Sequence, residues 1–136
     1  MSGSEELKKA GLKTTLPRLR ILSMFEEDPD QHLSAEDVYK RFMDSGDDIG
    51  LATIYRVLTQ FESADLVIRH NFEGGRSVFE LNDGEHHDHM VCLKCGKVTE
   101  FVDPEIEERQ KIVAEKHDFH LQEHSLYLYG LCKDCH

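Results

Sequence analysis

No apolar run in the sequence approaches the roughly 18 residues a membrane-spanning helix needs, and the mean hydropathy is −0.52. A transmembrane protein and a membrane partner are therefore excluded as expectations. The stretch from Met1 to Gly11 is charged and lacks the apolar segment of a signal peptide, which predicts a cytoplasmic protein. Internal repeats and low-complexity tracts are absent as well, so the 136 residues are expected to form one domain or two small ones. Basic charge is scarce: 16 Lys and Arg stand against 27 Asp and Glu, a formal net charge of −11. As a total this argues against nucleic acid, whose phosphates demand Lys and Arg.

The total hides a gradient. Residues 1–25 carry Lys8, Lys9, Lys13, Arg18 and Arg20 against Glu5 and Glu6, a local charge of +3, whereas residues 26–82 carry −8 and residues 83–136 carry −6. The last segment also holds all four cysteines and seven of the nine histidines. A cytosolic compartment keeps thiols reduced, so these cysteines point to metal rather than to disulfides.

A short amphipathic lead from Ser4 to Ala10 precedes three predicted helices. Thr14, Thr15 and Pro17 form the entry to the first, with Leu16, Leu19, Leu22 and Phe25 as its apolar face, and Asp28, Pro29 and Asp30 end it. Ser34 and Asp37 have capping-box spacing and open a second helix with Ala35, Val38, Phe42 and Met43 inward. A third runs from about Leu51 to Ala64 and buries Leu51, Ile54, Val57, Leu58 and Phe61. Two strands follow, Leu66 to Asn71 and Ser77 to Leu81, around Gly74 and Gly75. Three helices and a hairpin match the winged helix-turn-helix pattern. Beyond a linker-like Asn82-Asp83-Gly84, strands are predicted at Asp88 to Leu93, Lys97 to Val102 and Ser125 to Leu131, with a helix from Pro104 to His117. A lobe of about 50 residues is marginal on apolar burial alone and is expected to need a metal staple.

Cys92 and Cys95, with Cys132 and Cys135, form paired CxxC motifs separated by 36 residues. Two intervening residues let both sulfurs of a pair turn toward one ion, and Gly96 permits the tight turn. Four thiolates close a tetrahedral zinc shell with no open position, which marks a structural role. A thioredoxin-type redox pair is disfavoured because there are two pairs. The run His86-His87-Asp88-His89 is a second constellation. Strand alternation sends His87 and His89 to one face and His86 and Asp88 to the other, giving two mixed nitrogen and oxygen sites. Such donors suit Fe(II), Mn(II), Co(II) or Zn(II). Spacing leaves the remote ligands open among Glu80, Glu100, Glu105, Glu107, Glu108, His117, His120 and His124. A His-x-Asp facial triad of the non-haem oxygenase kind competes with this reading, but the lobe is too short to wrap a substrate pocket. The zinc-deaminase signature is absent.

The third helix turns Ala52, Thr53, Tyr55, Arg56, Thr59, Gln60 and Ser63 outward, and no carboxylate lies between Gly50 and Phe61. In so acidic a chain that gap favours a DNA-reading face over an ordinary solvated one. Arg can fork to a guanine edge, and Thr or Ala can meet a thymine methyl. Lys13, Arg18, Arg69 and Arg76 add charge around the same expected duplex face, with the basic N-terminus as a phosphate-contacting arm.

Six segments together resemble the ferric uptake regulator (Fur) family of bacterial metalloregulators: KKAGLKTTLPRLRIL from Lys8, SAEDVYKR from Ser34, GLATIYRVLTQF from Gly50, RHNFEGGRSVFEL from Arg69, HHDHMVCLKCG from His86 and HSLYLYG from His124. The resemblance implies an α+β fold, with an N-terminal winged helix-turn-helix domain (residues 1–82) and a small C-terminal α/β dimerisation domain (residues 83–136). Position by position, it implies a regulatory metal site of His32, Glu80, His87, His89 and Glu100, a further site of His86, Asp88, Glu107 and His124, and structural zinc on Cys92, Cys95, Cys132 and Cys135. It also implies base reading by Tyr55 and Arg56 and a minor-groove contact by Lys13. Glu80 and Glu100 stand where the peroxide-sensing branch places Asp, which favours the iron branch. The expected function is an Fe(II)-responsive repressor of iron-uptake genes, a homodimer or tetramer on palindromic, AT-rich double-stranded DNA, with no enzymatic activity and no small-molecule substrate. The alternatives are a zinc-responsive regulator of the same family, a metal oxygenase, or a zinc-stabilised protein-binding module.

Overall fold

The computed structural model describes residues 3–73, 75–82 and 87–136. Gly74 of the expected hairpin turn, Asp83, Gly84 and Glu85 of the expected linker region, and the candidate ligand His86 lie outside the described residues. The chain divides into two compact units, Met1–Gly84 and Glu85–His136. Among the described residues no helix is long and apolar enough to cross a membrane.

The first unit opens with α1 (Gly3–Lys9), which carries Glu5 and Glu6 in its first turn, Lys8 and Lys9 in its last, and buries Leu7. That charge order complements the helix dipole. In α2 (Leu16–Glu27) the Thr15 hydroxyl accepts the Arg18 amide at 3.4 Å, and Pro17 occupies the first turn, where its missing N–H costs no helical bond. The start of α3 (Ala35–Asp44) is a reciprocal capping box: Ser34 Oγ accepts from the Asp37 amide at 3.0 Å, and Asp37 Oδ2 accepts from the Ser34 amide at 2.9 Å. Gly50 precedes α4 (Leu51–Ser63), which buries Ile54, Val57, Leu58 and Phe61. Strands β1 (Val67–Asn71) and β2 (Ser77–Leu81) pair antiparallel, with Ile68 opposite Glu80 and His70 opposite Val78.

Phe25, Phe42, Phe61 and Phe79 bring α2, α3, α4 and the hairpin into one core, so three helices and a two-stranded wing form the observed winged-helix arrangement. Two expected inward residues point elsewhere. Leu16 is 65% exposed and Met43 59%. Each lies at an end of its helix, where a turn overhangs the core, and Ile21 and Met24 complete the buried face of α2 instead.

In the second unit, β3 (Asp88–Cys92) is the central strand between β4 (Val98–Phe101), antiparallel to it, and β5 (Tyr127–Gly130), parallel to it. Helix α5 (Pro104–Lys116) connects β4 to β5; Asp103 caps it by accepting the Glu105 and Ile106 amides, and Pro104 follows. The whole chain is thus α+β. Among the described residues, the buried side chains of this unit are Asp88, His89, Val91 and Cys92, and α5 buries none. Two apolar side chains make too small a core to hold a unit of this size.

Candidate metal centres and nucleic-acid interface

Because β3 and β5 run parallel with Cys92 in register with Gly130, both CxxC loops leave the same end of the sheet. Gly96, at φ +80°, supplies the left-handed residue that closes the first loop. The four sulfurs lie within 4.8 Å of one another, Cys95 and Cys132 at 3.7 Å, with no disulfide between them. A tetrahedron with zinc–sulfur bonds of about 2.3 Å has sulfur–sulfur edges of about 3.8 Å, so the donor set fits zinc. Backbone amides of Cys95 and Cys132 donate to Cys92 Sγ, each at 3.4 Å. These bonds, that of Cys95 foremost, draw the Cys92 thiol down to about 5; hydrogen bonding with Cys132, then burial, pushes Cys135 up to about 12. The fold thus favours the thiolate form at Cys92 and the thiol form at Cys135.

The alternation along β3 sorts the second constellation. His89 lies opposite Glu100 on β4 and beside Tyr127 on β5. His87, two residues earlier, shares that face: its ring centroid is 5.0 Å from that of His89, and its Nε2 is 3.0 Å from Glu100 Oε2. Asp88, 1% exposed, turns to the other face, where its carboxylate, that of the α5 residue Glu107 and the imidazole of His124 converge. His124 Nε2 is 2.7 Å from Glu107 Oε2 and 3.8 Å from Asp88 Oδ1. Either face offers nitrogen and oxygen donors to a divalent ion.

His32 and Glu80 belong to the first unit. Leu33 and Phe79 exchange both backbone hydrogen bonds, at 2.9 and 2.7 Å, on the edge of β2 away from β1. One residue along, that pairing sets His32 beside Glu80, with His32 Nε2 3.1 Å from Glu80 Oε2. The other carboxylate oxygen, Glu80 Oε1, is 2.6 Å from Nε2 of His70 on β1. Sequence reasoning overlooked His70. The signal was the hairpin register, which puts positions 70 and 80 on one face in diagonal reach of each other.

On α4, Tyr55, Arg56 and Thr59 are exposed and Thr53 is half-buried; Lys13 and Arg76 are exposed elsewhere in the unit. Tyr55 Oη donates to Glu36 Oε2 at 2.7 Å, which raises the phenol's pKa, so α3 brings a carboxylate to the part of α4 before Glu62, which carries none of its own. Arg18 donates from Nε and Nη2 to Gln60 Oε1, at 3.2 and 2.9 Å, and from Nη1 to the Lys13 carbonyl, which ties α2 to α4. Arg69 is 3.1 Å from Glu62 and lies over the Phe79 ring. These two expected DNA contacts are therefore engaged within the unit.

The family model described as "Ferric uptake regulator family" matches residues 9–129. A ferric uptake regulation protein of Legionella pneumophila is 61% identical over 135 residues, covering 99% of each chain. The crystal structure of the Vibrio cholerae ferric uptake regulator superposes with a TM-score of 0.88 at 58% identity, covering 95% of this chain and 98% of that one. The ferric uptake regulator of Francisella tularensis, determined with iron, gives a TM-score of 0.88 at 44% identity over 92% of this chain and 95% of its own. With the family model matching residues of both units and the Legionella relative covering 99% of the chain, the chain belongs to the ferric uptake regulator family.

Proposed function

We propose that the chain is a metal-responsive transcriptional repressor that, loaded with Fe(II), binds palindromic AT-rich operators as a homodimer and controls iron-uptake genes. The observation that carries this reading is the division of the donors: His32 and Glu80 stand together in the first unit, while His87, His89 and Glu100 share one face of the second. Two donors or three leave the shell of a six-coordinate ion unfilled, so an ion drawing on both sets would tie the reading unit to the dimerising one. The Francisella relative was determined with iron, which supports Fe(II) as that ion. Mn(II), Co(II) and Zn(II) accept the same donors.

Cys92, Cys95, Cys132 and Cys135 would hold structural zinc, and Asp88, Glu107 and His124, with His86, a further ion. On DNA, α4 would enter the major groove with Tyr55, Arg56 and Thr53 toward base edges, while Lys13 and Arg76 meet the backbone or minor groove and Arg18 and Arg69 brace the reading helix. Residues 1–82 serve as the DNA-binding domain and 83–136 as the dimerisation domain. Ile106, Val113, Ala114, Phe119 and Leu121 line an open apolar groove along α5, which supports a second copy covering that helix. Metal would then set the separation of two recognition helices to match successive half-sites.

A mobility shift on an AT-rich palindrome, at fixed salt and across Fe(II), Mn(II) and Zn(II), tests the reading. A specific complex that forms with Fe(II) or Mn(II) and dissolves on chelation is expected. A shift strongest with Zn(II) would make the chain a zinc-responsive regulator, and no shift with any ion would dismiss the repressor.

A further inference from the structure

Glu80 is 2% exposed, and each of its carboxylate oxygens has its own imidazole, His32 Nε2 at Oε2 and His70 Nε2 at Oε1. A glutamate has three side-chain torsions, the last of them soft, so a buried carboxylate keeps one orientation only when something holds it. His70 is well placed to do so. It projects from β1 two register positions from Glu80, is itself 7% exposed, and stacks on Phe72 with centroids 6.0 Å apart and planes 9° from parallel. The ring is thereby fixed against strand and aromatic alike. Glu80 can ligate an ion only as a carboxylate, which accepts hydrogen bonds, so in the metal-loaded state the 2.6 Å contact requires the proton on His70 Nε2. A nitrogen used in this way has no lone pair to give an ion.

We propose that His70 is a positioning residue for the regulatory metal: by holding Oε1 of Glu80 it aims Oε2 at the ion that Glu80 shares with His32. This inference rests on Glu80 being a metal ligand, as read above. It adds a residue that binds no metal but sets the orientation, and hence the affinity, of one that does. The same geometry makes Glu80 ready before metal arrives, since its alternative orientations are already removed. Outer groups of this kind change metal affinity by about 10- to 100-fold when lost.

The experiment uses the full-length, zinc-loaded chain titrated with Co(II), read by visible absorption and by competition with a chelator. His70→Phe keeps the stack on Phe72 and removes the donor; His70→Leu removes it with less volume should the larger ring not be accommodated. Both are expected to weaken Co(II) by about tenfold or more and to alter the visible bands, with zinc content and helix signal unchanged. His70→Gln places an amide N–H near the position of Nε2 and is expected to restore most of the affinity and the wild-type bands. Unchanged affinity and bands in His70→Phe and His70→Leu would overturn the proposal, and so would a His70→Gln variant as weak as they are, which would make the imidazole itself a ligand. Glu80→Ala separates the two layers. If it binds Co(II) like the wild type, the ligand reading fails; if it loses Co(II) while the His70 variants do not, the positioning role alone fails.

Discussion

At the scale of single residues, two substitutions divide the proposed DNA contacts by type. Arg56 is exposed on α4, and its loss in Arg56→Ala is expected to cost about 1–3 kcal/mol and to relax preference at one base position. Lys13→Ala should instead weaken all sequences alike and lower the salt slope by about 1. Fluorescence anisotropy on a panel of operator variants at several salt concentrations separates the two; equal relaxation by both would merge the roles. The proposal starts from residue type, since no carboxylate lies between Gly50 and Phe61 of an acidic chain, although in the fold Glu36 brings one to Tyr55. What residue type conceals is partnership. Arg18 and Arg69 look like free cations in the sequence, and in the fold they face Gln60 and Glu62. His70 was invisible for a related reason: its role depends on which residue the opposite strand brings to it.

At the scale of elements, end signals proved the most readable part of the chain. Thr15, the Ser34-Asp37 box and Asp103-Pro104 each satisfy orphan amides where the sequence placed a helix start. Strand parity likewise sorted the histidine run, because a period of two leaves no freedom once a strand exists: His87 and His89 do share a face, and Asp88 does turn away from it. The rotation of a helix about its axis was less readable, as Leu16 and Met43 show, since an apolar residue in a terminal turn has the right phase and no neighbour to cover it. Ser34 caps α3 directly after the segment that sets His32 beside Glu80. Ser34→Ala is expected to lower stability by about 1 kcal/mol, seen as a lower urea midpoint with unchanged slope. An unchanged midpoint would mean that water replaces the cap at no cost.

At the scale of the whole molecule, the two units differ in what holds them. The first has an aromatic and aliphatic core, whereas the second buries Val91 and Cys92 as its apolar side chains among the described residues. Removing zinc under reducing conditions should therefore strip hydrogen-exchange protection from the β3–β4–β5 sheet while amides of α2 and α4 stay protected. Equal protection with and without zinc would refute the structural role of the thiolates. The net charge of −11 also changes meaning at this scale. Each divalent ion taken up by nitrogen and oxygen donors offsets two of those charges, so on the proposed reading the apo chain repels DNA more than the loaded one, and part of the metal's effect is electrostatic.

Linkage supplies the most direct test. If one ion joins the two units and thereby orients the reading helices, metal and operator must strengthen each other by one common factor, about 5- to 150-fold in ordinary allosteric coupling. Operator affinity with and without Mn(II), and Mn(II) affinity with and without operator, can be measured on the same zinc-loaded protein at one salt concentration. Two equal ratios, both well above one, are the expected result; an operator affinity that is the same with and without the ion would contradict the account.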